Sequence, residues 1–175
     1  MDYRKDIDGL RALAVLGVIA YHSEILIGDK FLLSGGFLGV DIFFVISGYL
    51  ITSIIYRESI INKNFSLLNF YERRARRLLP ALLTVLFFTL FFAYHLLLPV
   101  QFVEYLKTVI SSMFFYSNFY FHYTGQAYGQ AILSTKPLLH TWSLSVEEQF
   151  YLLYPILFIF FFRIFKSNIK YLLYL

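Results

Sequence analysis

Titratable side chains stand inside stretches of this chain that otherwise read as hydrocarbon-facing. Arg11 and His22 flank the apolar run 12–20, Asp41 opens the run 42–46, and Glu147 and Glu148 head the run 150–162. Charge in a bilayer is expensive, so such residues usually face a bundle interior and mark a substrate or proton path. Arg11 and His22 are eleven residues apart, close to three turns, so they share a helix face at a separation of about 16 Å. Asp41 is expected at a depth similar to His22 on an antiparallel neighbour. A carboxylate beside an imidazole fixes its tautomer and stabilises its protonated form. His22 is then a candidate general base for a hydroxyl nucleophile. The plainer readings make Arg11 a snorkelling anchor, His22 an interfacial polar residue and Asp41 a helix cap.

Two further constellations carry charge. Arg73, Arg74, Arg76 and Arg77 cluster ahead of an apolar run, and on a helix Arg74 faces with Arg77 and Arg73 with Arg76. Paired guanidinium forks suit phosphate oxygens, although a positive cluster at a span boundary is also an ordinary topology signal. The run 140–151, His-Thr-Trp-Ser-Leu-Ser-Val-Glu-Glu-Gln-Phe-Tyr, is the densest polar stretch entering a span. Ser143 or Ser145 could cap a helix there, with one acid supporting its first turn. Adjacent acids diverge on a helix, so at least one of Glu147 and Glu148 is expected to face the bundle.

The elements that must position these groups follow from composition. The chain is 59% hydrophobic and only 15% charged, too little charge for an ordinary soluble domain of 175 residues. With no Cys, thiolate nucleophiles, disulfides and cysteine metal sites are excluded. No zincin helix, lipase-type nucleophile elbow or dinucleotide loop is present, and no metal site is expected. The net charge of +4 punctuates hydrophobic runs rather than forming a nucleic-acid patch. The expected architecture is an all-α, polytopic transmembrane bundle in a single unit, 1–175. Its complete spans are expected at about 10–27, 37–55, 78–98 and 143–162, and 169–175 reads as the start of a fifth. The first span follows Arg4 and Lys5 like a signal peptide but lacks a small-x-small cleavage site, so it is expected to be retained.

Charge asymmetry sets the orientation. The segment 109–123 is aromatic but carries Ser111, Ser112, Ser117, Asn118 and His122. If it does not cross, most Lys and Arg residues share one side, as the positive-inside rule prefers. The N-terminus is then cytoplasmic, and 101–140 is an outer loop with an interfacial helix.

Four stretches together resemble the acyltransferase-3 family of bacterial inner-membrane O-acyltransferases. They are Asp8-Gly9-Leu10-Arg11 with His22, the run 36–50 from Gly36 through Asp41 to Leu50, the run 70–80 that holds the arginine cluster, and His140 through Tyr151. The resemblance implies a multi-pass enzyme that moves an acetyl group from cytoplasmic acetyl-CoA, a substrate rather than a resident cofactor, to a carbohydrate hydroxyl. O-antigen, peptidoglycan and exported polysaccharide are the acceptors it implies. It also implies that His22 is the catalytic histidine, that Arg11 assists it or the donor, and that Arg74 and Arg77, with Arg73 beside them, contact CoA. The expected layout puts the cations on the inner side and His22, Asp41 and Glu147 or Glu148 on the outer side. Family members have more spans than are expected here, so the chain reads as the N-terminal part of such an enzyme. The alternative is a non-catalytic membrane component, such as a transport subunit or an inactive fragment, because intramembrane His and carboxylates also serve proton-coupled carriers.

Overall fold

The computed structural model describes residues 4–27, 30–61, 65–124 and 136–164. The expected fifth span and the cations Lys166 and Lys170 lie outside the described residues. The chain divides into two compact units, Met1–Phe65 and Ser66–Leu175. Both are helical, apart from one short hairpin.

In the first unit, helix α1 runs Lys5–His22, and α2 runs Leu38–Tyr56 and continues through a π-helical turn, Arg57–Ile61. Between them, β1 (Leu26–Ile27) and β2 (Lys30–Phe31) pair antiparallel, with Leu26 opposite Phe31. The first expected span is therefore displaced. Its helix begins at Lys5 rather than residue 10 and ends at His22 rather than residue 27. The end is local chemistry. The Ser23 hydroxyl turns back to the Ala20 carbonyl at 2.8 Å, and Glu24 takes a left-handed φ of 51° that a continuing helix forbids. The apolar residues beyond it go into the hairpin.

Small residues hold α1 against α2. Ala14 is 2% exposed, and Gly36 and Gly39 are buried. A Cβ on Gly36 would overlap the Gly17 carbonyl and come within 2.8 Å of the Tyr21 Cβ. On Gly39 it would overlap the Ala14 carbonyl and reach 2.8 Å from Val18 Cγ2. Such close backbone approach is how apolar helices pack when lipid tails are as hydrophobic as the side chains. Farther along the pair, Arg4 reaches the Tyr49 hydroxyl at 3.5 Å. Gly39→Val is expected to destabilise this helix pair by at least about 2 kcal/mol, through overpacking against backbone that cannot yield. Thermal unfolding in detergent measures it, and a parent-like transition would mean the helices are not packed this closely.

In the second unit, α3 spans Leu67–Leu96, α4 Pro99–Met113, α5 Ser117–Tyr123 and α6 Thr141–Ile164. Ser66 caps α3 by accepting from the Asn69 amide at 3.4 Å. Pro99 opens α4 at a position where its missing N–H leaves nothing unsatisfied. Leu82, Leu86, Ala93, Tyr105 and Leu138 form one buried cluster, and Phe121 and Leu139 a second beneath Trp142. The segment 109–123 is not one continuous helix. It breaks at 114–116, where Phe115 has a φ of 53°.

Among the described residues, three helices are long and apolar enough to cross a membrane: Leu38–Ser59, Leu67–Leu96 and Thr141–Phe162. Helix α1 is not one of them, because Lys5, Asp6, Asp8 and Arg11 fill its first two turns. The third helix also starts eleven residues before the expected 78–98. Ser66 caps it there, and the intervening Glu and Arg residues are good helix formers.

Candidate functional site

Helix α6 is fixed in rotation by a ladder of polar side chains. Thr141, Ser145 and Gln149 recur every four residues and so share one face. Ser112 of α4 bonds Thr141 at 2.8 Å, and Thr141 donates to the Ser117 hydroxyl at 3.0 Å. Ser117 bonds Ser145 at 2.7 Å, and the Ser117 amide also donates to Ser145. Gln149 and Asn118 exchange amide bonds at 3.0 and 3.2 Å, and Gln149 donates to the Phe115 carbonyl at 2.7 Å. Ser111, Ser112, Ser117 and Ser145 are at most 1% exposed. Three of the polar residues that complicate a membrane reading of 109–123, Ser112, Ser117 and Asn118, thus serve as the socket for α6. Farther out, the Glu104 carboxylate pairs with Lys107 at 2.5 Å and accepts from the Tyr120 hydroxyl at 3.2 Å, joining α4 to α5. The Lys107 hydrogen bond holds its carboxyl below the usual range.

The ladder predicts an asymmetry. Ser145→Ala removes the acceptor of the buried Ser117 amide and one of the two partners of the Ser117 hydroxyl, and is expected to lower stability by about 1–3 kcal/mol. Adding Ser117→Ala should not add a full second increment, because the bond between the two hydroxyls is already lost. Chemical unfolding of both variants checks this, and strictly additive losses would show that the two hydroxyls do not depend on each other.

Held this way, α6 turns its other side towards α3. The Tyr71 hydroxyl donates to the Leu152 carbonyl at 2.8 Å, and the Arg74 guanidinium lies 4.6 Å from the centre of the Tyr151 ring. These contacts set Arg74 level with the middle of α6. The cluster thus lies within α3, one to three turns from its start. A cleft of about 280 Å³ opens here, walled by Leu78, Leu79, Phe114 and Phe115, with Arg74, Glu148 and Gln149 supplying its polar groups. Tyr151 is 5% exposed and its hydroxyl donates to Glu147. The two acids diverge as expected, Glu148 into the cleft and Glu147 onto Tyr151. Among the described residues Arg74 makes no ion pair with either carboxylate. The expected separation of inner cations from outer acids fails for Arg74 and Glu148, which share one cleft. Arg77, one turn on, is exposed, as are Arg73 and Arg76, the last paired with Glu72 at 2.6 Å.

The remaining candidates lie in the first unit. His22 is the last residue of α1, exposed, with its ring edge-on to Tyr21 at 5.1 Å. Arg11 is half-buried and sits 3.8 Å from Asp8. Asp41 is exposed in the first turn of α2, where its charge favours the helix N-terminus. It is not beside His22. Packing of Gly36 on Gly17 and of Gly39 on Ala14 and Val18 sets the register and places Asp41 level with residues 12–16. That is about two to three turns of α1 from His22. The physical reason is the hairpin: the chain passes the end of α1 and comes back alongside it before α2 begins. Sequence reasoning missed Tyr151 as a site residue. Its spacing four residues after Glu147 was the available signal.

The fold and the cleft define a helical membrane-type protein with a cation and paired acids held between its helices. The chain belongs to the acyltransferase-3 family, whose acyltransferase-domain model matches residues 4–175. It is 42% identical over 170 residues to the O-acetyltransferase OatA of Staphylococcus aureus strain NCTC 8325 / PS 47, covering 95% of this chain and 26% of that protein. The OatA protein of strain COL matches with the same identity and coverage. The chain thus spans about a quarter of the length of the curated relatives it matches. No solved structure matches it.

Proposed function

We propose that the protein carrying this chain transfers an acetyl group from acetyl-CoA to a hydroxyl of a cell-surface or exported carbohydrate. The observation that carries this reading is Arg74, a guanidinium that pairs with no carboxylate among the described residues, in a cleft with apolar walls. Family membership and the names of the relatives supply the reaction class. In this reading Arg74 and Arg77, with Arg73 as a further cation, bind the phosphates of the donor, and Glu147 and Glu148 limit where that charge can move. His22 takes the proton of the acceptor hydroxyl while its oxygen attacks the thioester carbonyl. The C–S bond then breaks, and the CoA thiolate leaves and takes up a proton. Purified protein in lipid vesicles, given acetyl-CoA labelled in the acetyl group and a cell-wall polysaccharide fraction, should place label in base-labile ester on the carbohydrate. Binding of acetyl-CoA without transfer would favour a non-catalytic membrane component instead.

The proposal includes a place in the inner (plasma) membrane with the N-terminus cytoplasmic, and it takes α1 across beside α2 although the charged first turns of α1 keep it below the apolarity of the other three helices. The absence of Cys makes single cysteines clean reporters. A cysteine at Ser34, in the turn between α1 and α2, should react with an impermeant thiol reagent on intact cells. One at Arg57, beyond the far end of α2, should react only after permeabilisation. The reverse pattern would invert the topology.

A further inference from the structure

The cleft contains a residue whose two ends engage two different charges. The buried Tyr151 ring lies under the Arg74 guanidinium at 4.6 Å, while the Tyr151 hydroxyl donates to Glu147. Phe70 stands farther from the same guanidinium, at 5.9 Å. A cation over an aromatic face keeps its N–H edge free for an anion, whereas a carboxylate pair would consume that edge. The hydrogen bond to Glu147 fixes the tilt of the ring and turns that acid away from Arg74. Gln149, locked to Asn118 and the Phe115 carbonyl, prevents α6 from rotating and breaking the arrangement.

We propose that Tyr151 is a positioning residue: it holds Arg74 by its ring and Glu147 by its hydroxyl, so that the guanidinium is presented to an anionic group of the acyl donor instead of collapsing onto an acid. This deepens the donor-binding reading above and rests on it. The ring and the hydroxyl have separate jobs, so they separate by substitution. Tyr151→Phe keeps the ring, and Tyr151→Leu removes both.

The first readout needs no ligand. Detergent-solubilised full chain is treated with an arginine-selective dicarbonyl reagent, and modification of the Arg74 peptide is followed by mass spectrometry. Tyr151→Leu is expected to change the Arg74 rate by about three- to thirty-fold, the range set by a partly desolvated cation–π contact. Tyr151→Phe keeps the ring but releases Glu147 to pair with Arg74, so it should slow Arg74 modification by a smaller factor, about two- to fivefold. Should Tyr151→Leu fail to accumulate, Tyr151→Met, which keeps length and apolarity, replaces it. The second readout is acetyl-CoA affinity in a double-mutant cycle with Arg74→Ala. Tyr151→Leu should weaken binding in the parent and add little once Arg74 is gone. An unchanged Arg74 rate in Tyr151→Leu overturns the proposal, and so does an equal loss of affinity with and without Arg74. A changed Arg74 rate together with parent-like acetyl-CoA binding by Arg74→Ala sinks the donor reading instead and leaves Tyr151 as the anchor of Arg74.

Discussion

Arg74→Ala combined with Arg77→Ala is expected to weaken acetyl-CoA binding by about 100-fold or more while membrane insertion persists. Hydrogen bonds to charged groups contribute roughly 1.5–3 kcal/mol each, and two lost guanidinium contacts reach that range even if they are not fully additive. The two positions should not contribute equally. Arg77 is exposed and screened by salt, so its share should shrink as ionic strength rises. Arg74 is half-buried against Tyr151, where screening is weaker. Arg74→Lys separates charge from shape: it keeps the cation but loses the planar fork and its stacking, so it should recover only part of the affinity. Insertion should survive because α3 keeps Arg73 and Arg76 as basic residues near its start and its apolar length is untouched. Isothermal titration at two salt concentrations measures all of this. A double variant that inserts and binds like the parent would leave the cluster with only a topological role.

What the sequence made legible, and what it hid, follows from the range of the forces involved. The second and fourth spans were readable to within a few residues, because Leu38–Tyr56 and Thr141–Ile164 are long apolar runs bounded by polar residues. The divergence of Glu147 and Glu148 was also readable, since helix periodicity is local. The end of α1 was not, because hydropathy continues through Ile25, Leu26 and Ile27 while the backbone leaves the helix. The helical register was not either. It depends on Gly17, Gly36 and Gly39 meeting across the pair, and a stripe of small residues does not announce which partner it will meet. Positive charge also misled the start of α3, because the same arginines serve as a topology signal and as a well-formed helical turn. The ladder shows a subtler limit. Its members were visible as polar residues in an apolar context, and Thr141, Ser145 and Gln149 lay at helical spacing, but that Ser112, Ser117 and Asn118 were their partners is a fact of tertiary packing.

His22→Ala should lower carbohydrate acetylation by about 10²–10⁴ in rate with little change in protein level, if His22 is the general base proposed above. The location supports a chemical role more than a structural one. His22 is the last residue of α1, exposed rather than packed in the core, so its removal strands no buried apolar surface. The Tyr21 ring beside it and the Gly36–Tyr21 packing stay in place in the variant. The register also changes what is expected of Asp41. A carboxylate beside the imidazole would have made Asp41→Asn a partial mimic of the histidine variant. Two to three turns away, it can neither fix the tautomer nor share the proton, so Asp41→Asn should leave acetylation within a few-fold of the parent, its charge acting on the start of α2 instead. The acetyl content of the cell-surface polysaccharide, measured beside an immunoblot of the membrane fraction, distinguishes these outcomes. Parent-like acetylation by a well-accumulated His22→Ala protein would remove His22 from the mechanism and move attention to His140, which is exposed at the entrance to α6. A loss in Asp41→Asn as deep as that in His22→Ala would mean that the two residues meet in the working enzyme, against the register that Gly17, Gly36 and Gly39 impose.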